Sequence, residues 1–254
     1  MRIRILGASG GIGAGAHTTA LLVDDDVLID AGTGVAELPL AALAAIDHVF
    51  LTHTHLDHIA CLPMLADSVG ARRGRPIVVH ADEQTLAVLR AHIFNNAVWP
   101  DFTTIPSRAQ PFLRLEPLAP EASLAIAGRR FTSIAVTHSV PAVGYLVEGG
   151  DGALGFSGDT TSTERFWQVV NACERLRTVI VETSFLDEEE ALSRLAGHLC
   201  PRLLATELAK LTQPAEICIT HLMPGEEEAI MAEIRAHLPG RAIRALRAGM
   251  VLEV

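Results

Sequence analysis

Apolar and polar positions follow two different periods along this chain. Short runs rich in Val, Ile, Leu and Phe, bounded by Gly, Pro, Asp or Asn, predict strands near 2–7, 18–24, 26–30, 47–52, 76–80, 111–116, 130–137, 142–148, 153–157, 177–182, 215–220 and 242–246. Apolar positions recurring three and four apart predict helices near 36–44, 58–69, 82–92, 164–174, 187–195, 201–210 and 225–237. Each half of the chain carries both kinds of element, which predicts an α/β fold, a four-layer αββα sandwich. No linker-like or low-complexity stretch interrupts the pattern, so residues 1–254 are read as a single domain.

The first strand runs into Gly7-Ala8-Ser9-Gly10-Gly11-Ile12-Gly13, glycine spacing of the kind that cradles dinucleotides. That chemistry needs a helix directly after the loop, because the helix N-terminus holds the pyrophosphate. Here Thr18–Val23 follows, β-branched and apolar, then the turn Asp24-Asp25-Asp26 and another strand. A hairpin is predicted, with no room for the helix. The spacing is closest to short-chain dehydrogenases, whose catalytic pair is a Tyr with a Lys four residues on. Tyr145 is the one tyrosine, and position 149 is Gly. The loop is therefore read as a connection between strands, whose glycines allow positive φ and close approach.

Composition narrows the partners. The formal net charge is −10, and Lys210 is the one lysine among 20 basic residues. A long nucleic acid is disfavoured, since its binders carry a basic stripe. Cys61, Cys173, Cys200 and Cys218 form no CxxC pair and are read as free thiols in a reducing compartment. No apolar run is long enough to span a bilayer and the N-terminus lacks signal-peptide features, so a cytoplasmic location without membrane contact is expected.

One cluster decides the chemistry. The strand ending at Thr52 leads into His53-Thr54-His55-Leu56-Asp57-His58. Histidines at i and i+2 on extended backbone face one side and can hold one cation, and Asp57 and His58, at the turn into a helix, can hold a second. Further ligand types end three later apolar runs, at His138, Asp159 and His221. Loops at strand ends ring one edge of a layered α/β fold, where ligands can meet.

With those residues in place, the chain resembles the metallo-β-lactamase-fold hydrolases over essentially its full length. More narrowly it resembles class-II cyclic-nucleotide phosphodiesterases, in the opening ILGASGGIG and in THTHLDHIACLP, FNNAVWPDF, THSVPAVGY, SGDT and GHLCP. Cys61 departs from the general pattern, where many members carry Gly; the change is small for small. The resemblance implies a sandwich of the metallo-β-lactamase type. It implies that His53, His55 and His138 bind one metal, that Asp57, His58 and His221 bind a second, and that Asp159 bridges. Asp30 matches the family's supporting aspartate. All seven ligands are N or O donors, which Zn²⁺, Mn²⁺ and Fe²⁺ all fit; the residue types alone do not choose among them, and Zn²⁺ is the first expectation.

Two such cations roughly 3.5–4 Å apart can activate a shared water for in-line attack on phosphorus. Glu182 and His198 lie in segments that resemble motifs of tRNA 3′-end processing enzymes in the same superfamily. Carried over, His198 is the proton donor to the leaving oxygen and Glu182 orients it. Asp57 counts with them in the catalytic set. The leading expectation is hydrolysis of a 3′,5′-cyclic nucleotide (cAMP or cGMP) to the 5′-nucleotide. The alternatives are an RNA 3′-processing nuclease, a lactone, thioester or β-lactam hydrolase of the same fold, and a metal-binding protein without turnover. A homo-oligomer stays open.

Other singled-out residues carry no chemistry. His17 is read as a loop residue, His48 and His80 as capping or packing, and His92 and His237 as matched to helix C-termini. Segment 94–106, rich in aromatics, is either a pocket wall that stacks a purine or a cover over the core or a dimer contact.

Overall fold

The computed structural model of the chain describes residues 1–150 and 152–254. Strands β1 (Arg2–Gly7), β2 (Ala20–Val23), β3 (Val27–Ile29), β4 (His48–Phe50), β5 (Ile77–Ala81) and β6 (Leu113–Pro117) form one sheet. Strands β7 (Ser123–Ile126), β8 (Arg129–Ala135), β9 (Val143–Gly149), β10 (Gly152–Phe156), β11 (Leu176–Glu182), β12 (Glu216–Thr220) and β13 (Ile243–Ala245) form the other. The last strand, β14 (Val251–Glu253), returns to the first sheet beside β1.

Alternation along the strands builds three layers of core. In β2, Ala20 and Leu22 face outward, toward Leu62, Leu65 and Ala66 of helix 62–69, while Leu21 and Val23 face the second sheet. Phe50, Phe131, Tyr145 and Phe156 fill the space between the sheets. On the far side, Val179, Val181, Ile217 and Ile219 pack under Trp167, Leu204, Leu208 and Ile230. This is the expected αββα sandwich: a strand buried on both faces needs apolar residues at every position, as in β2 and β10.

The helices are α1 (Leu40–Ala45), α2 (Leu56–Ile59), α3 (Leu62–Val69), α4 (Glu83–Val88), α5 (Arg165–Asn171), α6 (Glu190–Ala196), α7 (Pro201–Leu208) and α8 (Glu227–His237). The single helix expected over 58–69 is two, because Pro63 lacks the N–H that an interior turn needs and instead opens α3. Cys61 at the break donates its N–H to the Ala31 carbonyl. The helix expected over 36–44 is also split: a 3₁₀ turn at Thr33–Glu37 ends at extended Leu38 and Pro39 before α1 begins, while that over 82–92 continues past α4 as a π turn at Leu89–Ile93. Strands β7 and β14, short and half exposed, were not among the expected elements.

Strand direction positions the site. β1 and β3 run the same way, each antiparallel to β2, and β4 is parallel to β3. In the other sheet β8 and β10 both run antiparallel to β9, and β11 and β12 are parallel to β10. The segments that follow β1, β3 and β4 therefore leave one edge of the first sheet, and those that follow β8, β10, β11 and β12 leave one edge of the second.

Among the described residues, no helix is long and apolar enough to cross a membrane. The segment 94–106 covers the first sheet: Phe94 and Phe102 are buried in its outer core, and Trp99 packs against it. Of the three readings left open for that segment, the structure favours the cover over the core.

Candidate metal centre

The loop between β1 and β2 contains no helix; Ser9 bridges to Thr18 and to Leu222 instead. Its glycines matter through close approach. A Cβ at Gly7 would lie 1.9 Å from the Thr18 carbonyl oxygen, and one at Gly10 would lie 2.8 Å from both Nδ1 and O of His221. The loop presses backbone against a predicted ligand.

That ligand and six others converge. One ligand atom from each of His53, His55, His138 and Asp159 lies within 4.8 Å of the others, and the same holds for Asp57, His58, Asp159 and His221. Asp159 belongs to both groups. Its Oδ2 is 3.6 Å from His53 Nε2, 3.1 Å from His58 Nε2 and 3.2 Å from His221 Nε2. Asp57 Oδ2 lies 3.1 Å from His221 Nε2 and 3.5 Å from His58 Nε2. His138 Nε2 is 3.2 Å from His55 Nδ1.

Backbone strain helps to aim these groups. Asp30 and His221, neither a glycine, have φ of 58° and 64°. Left-handed backbone at such residues costs on the order of 1–3 kcal/mol and persists only where surroundings fix it. His221 is pinned by its N–H on the Ala8 carbonyl, and Asp30 by its N–H on the Phe50 carbonyl.

A ring of partners orients four of the five imidazoles. Asp30 Oδ2 takes His58 Nδ1 at 2.7 Å and Thr52 Oγ1 at 2.8 Å, while its Oδ1 accepts the Thr52 N–H. Thr52 Oγ1 lies 3.0 Å from His53 Nδ1. His138 Nδ1 faces the Gly197 carbonyl at 2.9 Å, and His221 Nδ1 faces Ser184 Oγ at 2.8 Å. In four of the rings Nδ1 is engaged behind, and Nε2 is left for the centre.

Electrostatics divides the same set, leaving three rings as neutral bases and holding a proton on a fourth. Burial pushes His53 well below the ordinary imidazole range and lowers His55 and His138, so these rings are neutral bases with free lone pairs. Burial works against charge on His58, but the Asp159 and Asp30 carboxylates outweigh it and hold that ring well above the range. Burial also opposes charge on Asp159, yet His221 and His58 keep its carboxyl well below the carboxylate range.

Two observations test whether divalent ions fit. The Nε2 atoms of His53 and His58 are buried and have no hydrogen-bond partner among the described residues, although both point at Asp159. Unpaired buried polar atoms are costly unless something else engages them. The donor set, five imidazoles and two carboxylates in overlapping groups, suits a dinuclear site of N/O-seeking metals.

Beside the centre, His198 Nδ1 lies 2.7 Å from Glu182 Oε1. Glu182 is fully buried and also accepts the N–H groups of Thr160 and Leu199. Burial disfavours charge on His198, but Glu182 outweighs it and raises the ring to about 9. The His198 ring stands 4.9 Å from that of His138 and 5.1 Å from that of His221, at the rim of the ligand cluster.

Every residue singled out from the sequence for the site is thus in one place. Two partners were missed, Thr52 and Ser184. Ser184 follows Glu182 by two positions at a strand end, so the period of two that places side chains on one face was the available signal. Thr52 directly precedes His53 and carries no signal beyond its place in the motif. Outside the centre, His48 Nδ1 lies 3.0 Å from His80 Nε2. Cys61, Cys200 and Cys218 are buried and Cys173 half-buried, all as free thiols.

A family model described as a beta-lactamase superfamily domain matches residues 25–222. A probable 3′,5′-cyclic-nucleotide phosphodiesterase of Yersinia pestis is 25% identical, over 88% of this chain and 78% of that one. A ribonuclease Z of Bradyrhizobium sp. (strain ORS 278) is 27% identical, over 85% of this chain and 87% of its own length. The metallo-beta-lactamase fold protein YhfI from Bacillus subtilis superposes with a TM-score of 0.78 at 18% identity, covering 99% of both chains.

Proposed function

The chain belongs to the beta-lactamase superfamily, and on that premise we propose that it is a dinuclear-metal phosphodiesterase acting on a 3′,5′-cyclic nucleotide. The observation that carries this reading is the pair of overlapping ligand groups sharing Asp159, with His198 and Glu182 at their rim. His53, His55, His138 and Asp159 would hold one ion, and Asp57, His58, Asp159 and His221 the other, with Zn²⁺ as first choice. Bound there, such ions supply a nucleophile from water at neutral pH and offset charge on the phosphoryl oxygens.

The remaining work falls to the chain. Asp57, the more exposed carboxylate of the centre, accepts a hydrogen bond from the attacking water. As the new P–O bond forms, the P–O3′ bond breaks, and the departing oxygen needs a proton. His198 is held protonated by Glu182 on Nδ1, which leaves Nε2–H free to give that proton. The acidic balance of the chain, −10 overall, repels an extended polyanion and favours a small diester drawn into a locally cationic pocket. A ribonuclease Z of similar identity makes RNA processing the reading to be tested against it.

The test is a substrate panel on Zn²⁺- and Mn²⁺-loaded protein: cAMP, cGMP, bis-p-nitrophenyl phosphate, a tRNA precursor and a chromogenic lactam. Cyclic nucleotides opened to 5′-products are expected. Cleavage of the tRNA precursor or the lactam, with both cyclic nucleotides left intact, overturns the reading. Within it, His198→Ala should cost roughly 10²–10⁴ in rate on an ester with an alkoxide leaving group, and far less on a p-nitrophenyl ester, which leaves without a proton. Equal losses on both reject the proton-donor role.

A further inference from the structure

The ring of partners around the centre contains one pattern twice. On the first sheet, His53 Nδ1 meets Thr52 Oγ1 at 3.0 Å, Thr52 Oγ1 meets Asp30 Oδ2 at 2.8 Å, and Asp30 Oδ2 meets His58 Nδ1 at 2.7 Å. On the second sheet, His221 Nδ1 meets Ser184 Oγ at 2.8 Å, Ser184 Oγ meets Glu182 Oε2 at 3.2 Å, and Glu182 Oε1 meets His198 Nδ1 at 2.7 Å. Even the diagonal repeats: each hydroxyl stands 3.4 Å from the farther ring, Thr52 from His58 and Ser184 from His198. Both chains read histidine, hydroxyl, buried carboxylate, histidine. In the first, both rings belong to the ligand set. In the second, His221 does and His198 does not.

We propose that Ser184 is a positioning residue whose hydroxyl ties the ligand His221 to the Glu182–His198 pair, so that metal ligand and proton donor are set by one hydrogen-bond chain. This rests on the reading of the centre given above. Hydrogen-bond direction carries it. A histidine that offers Nε2 to a cation holds its remaining proton on Nδ1. The acceptor closest to that proton is Ser184 Oγ, which then has its own single hydrogen to place. The buried Glu182 carboxylate accepts it, alongside the Thr160 and Leu199 N–H groups and His198 Nδ1–H. Every donor in the chain then has an acceptor. With the other tautomer of His221, Ser184 would have to donate toward His221 and Glu182 would lose that bond.

The backbone supports the same geometry. Ser184 is 1% exposed; its N–H is held by the Leu199 carbonyl, and the preceding Thr183 N–H by the Thr220 carbonyl, one residue before His221. The hydroxyl has no room to swing to solvent.

The test compares the wild type with Ser184→Ala and Ser184→Thr, using Zn²⁺ competed against a chromophoric chelator and, separately, the two classes of ester. In S184A one of two Zn²⁺ ions should bind 10–100-fold more weakly while the other is unchanged, as expected when the group orienting a ligand is removed. Its rate on the alkoxide ester should fall more than on the p-nitrophenyl ester, and S184T should restore both. A wild type binding two ions, with S184A binding both at unchanged affinity, overturns the inference and leaves the reading of the centre standing. A wild type that does not bind two ions overturns that reading and the inference with it. Should S184A fail to fold, ¹⁵N spectra of the histidines in the Zn²⁺-loaded wild type decide: His221 must carry its proton on Nδ1, and a proton on Nε2 overturns the proposal.

Discussion

Two clusters of histidine lie in the first sheet and just beyond it, and they behave in opposite ways. His48 and His80 stand on neighbouring strands, 3.0 Å apart, with His80 stacked on Phe50. Burial lowers His80 to about 4, so it stays neutral and packs as an aromatic would. His53 and His58 stand just after β4 and in α2, fully buried where His48 is only half-buried, and their Nε2 atoms face the carboxylate of Asp159, which comes from the other sheet. The difference is not the imidazole. It is the arrival of His138, Asp159 and His221 from elsewhere in the chain, which completes two cation sites around these rings.

Removing the shared carboxylate should break this contrast most severely. Asp159→Ala takes one ligand from both groups, and turnover should fall by about 10³-fold or more, since metal-centred charge stabilisation is worth several kcal/mol and each ~1.36 kcal/mol is tenfold. His80→Gln, by comparison, should leave turnover and metal content essentially unchanged. Equal bound metal in Asp159→Ala and wild type, measured by atomic emission after gel filtration, would deny Asp159 its shared role.

A smaller change sharpens the comparison from behind. Asp30→Asn keeps an oxygen for the Thr52 N–H but removes the charge facing His58 Nδ1. Metal affinity should drop roughly 10–100-fold, the usual cost of losing a partner behind a ligand. An unchanged chelator-competition curve would show that His58 needs no anionic support.

The smallest effect concerns the other cluster. Unfolded His80 takes up a proton near pH 6.5, whereas the folded residue does so only near 4. The unfolded state therefore binds more protons in that window, so the stability due to neutral His80 is present above pH 6.5 and lost as pH falls toward 4. The contribution is at most about 3 kcal/mol. Urea unfolding at pH 7 and pH 5 isolates it as the difference between wild type and His80→Gln. No pH dependence in that difference would show that His80 is not held neutral.

Legibility in the sequence followed distance along the chain. The HxHxDH run was readable because its residues share one strand end, and His138, Asp159 and His221 were readable because each follows an apolar run. The break in the helix over 58–69 was signalled by Pro63 but lost in the longer apolar period. The readings offered for segment 94–106 could not be separated, since an aromatic residue buried in a core and one lining a pocket look alike in a sequence. Thr52 is silent in the sequence and Ser184 is marked only by its spacing of two from Glu182, because a hydroxyl's role depends on what lies within 3 Å of it.

Local physics was enough for the sequence to determine most of the strands and helices, the kind of donor atoms and their places at strand ends, since apolar period and ligand type are properties of neighbours in the chain. The tertiary structure alone decided that Asp159 faces both ligand groups, that Gly10 presses on His221, and that one hydroxyl joins His221 to Glu182. Those contacts join residues from tens to hundreds of positions apart, and they exist only after two sheets have packed and their common edge has formed.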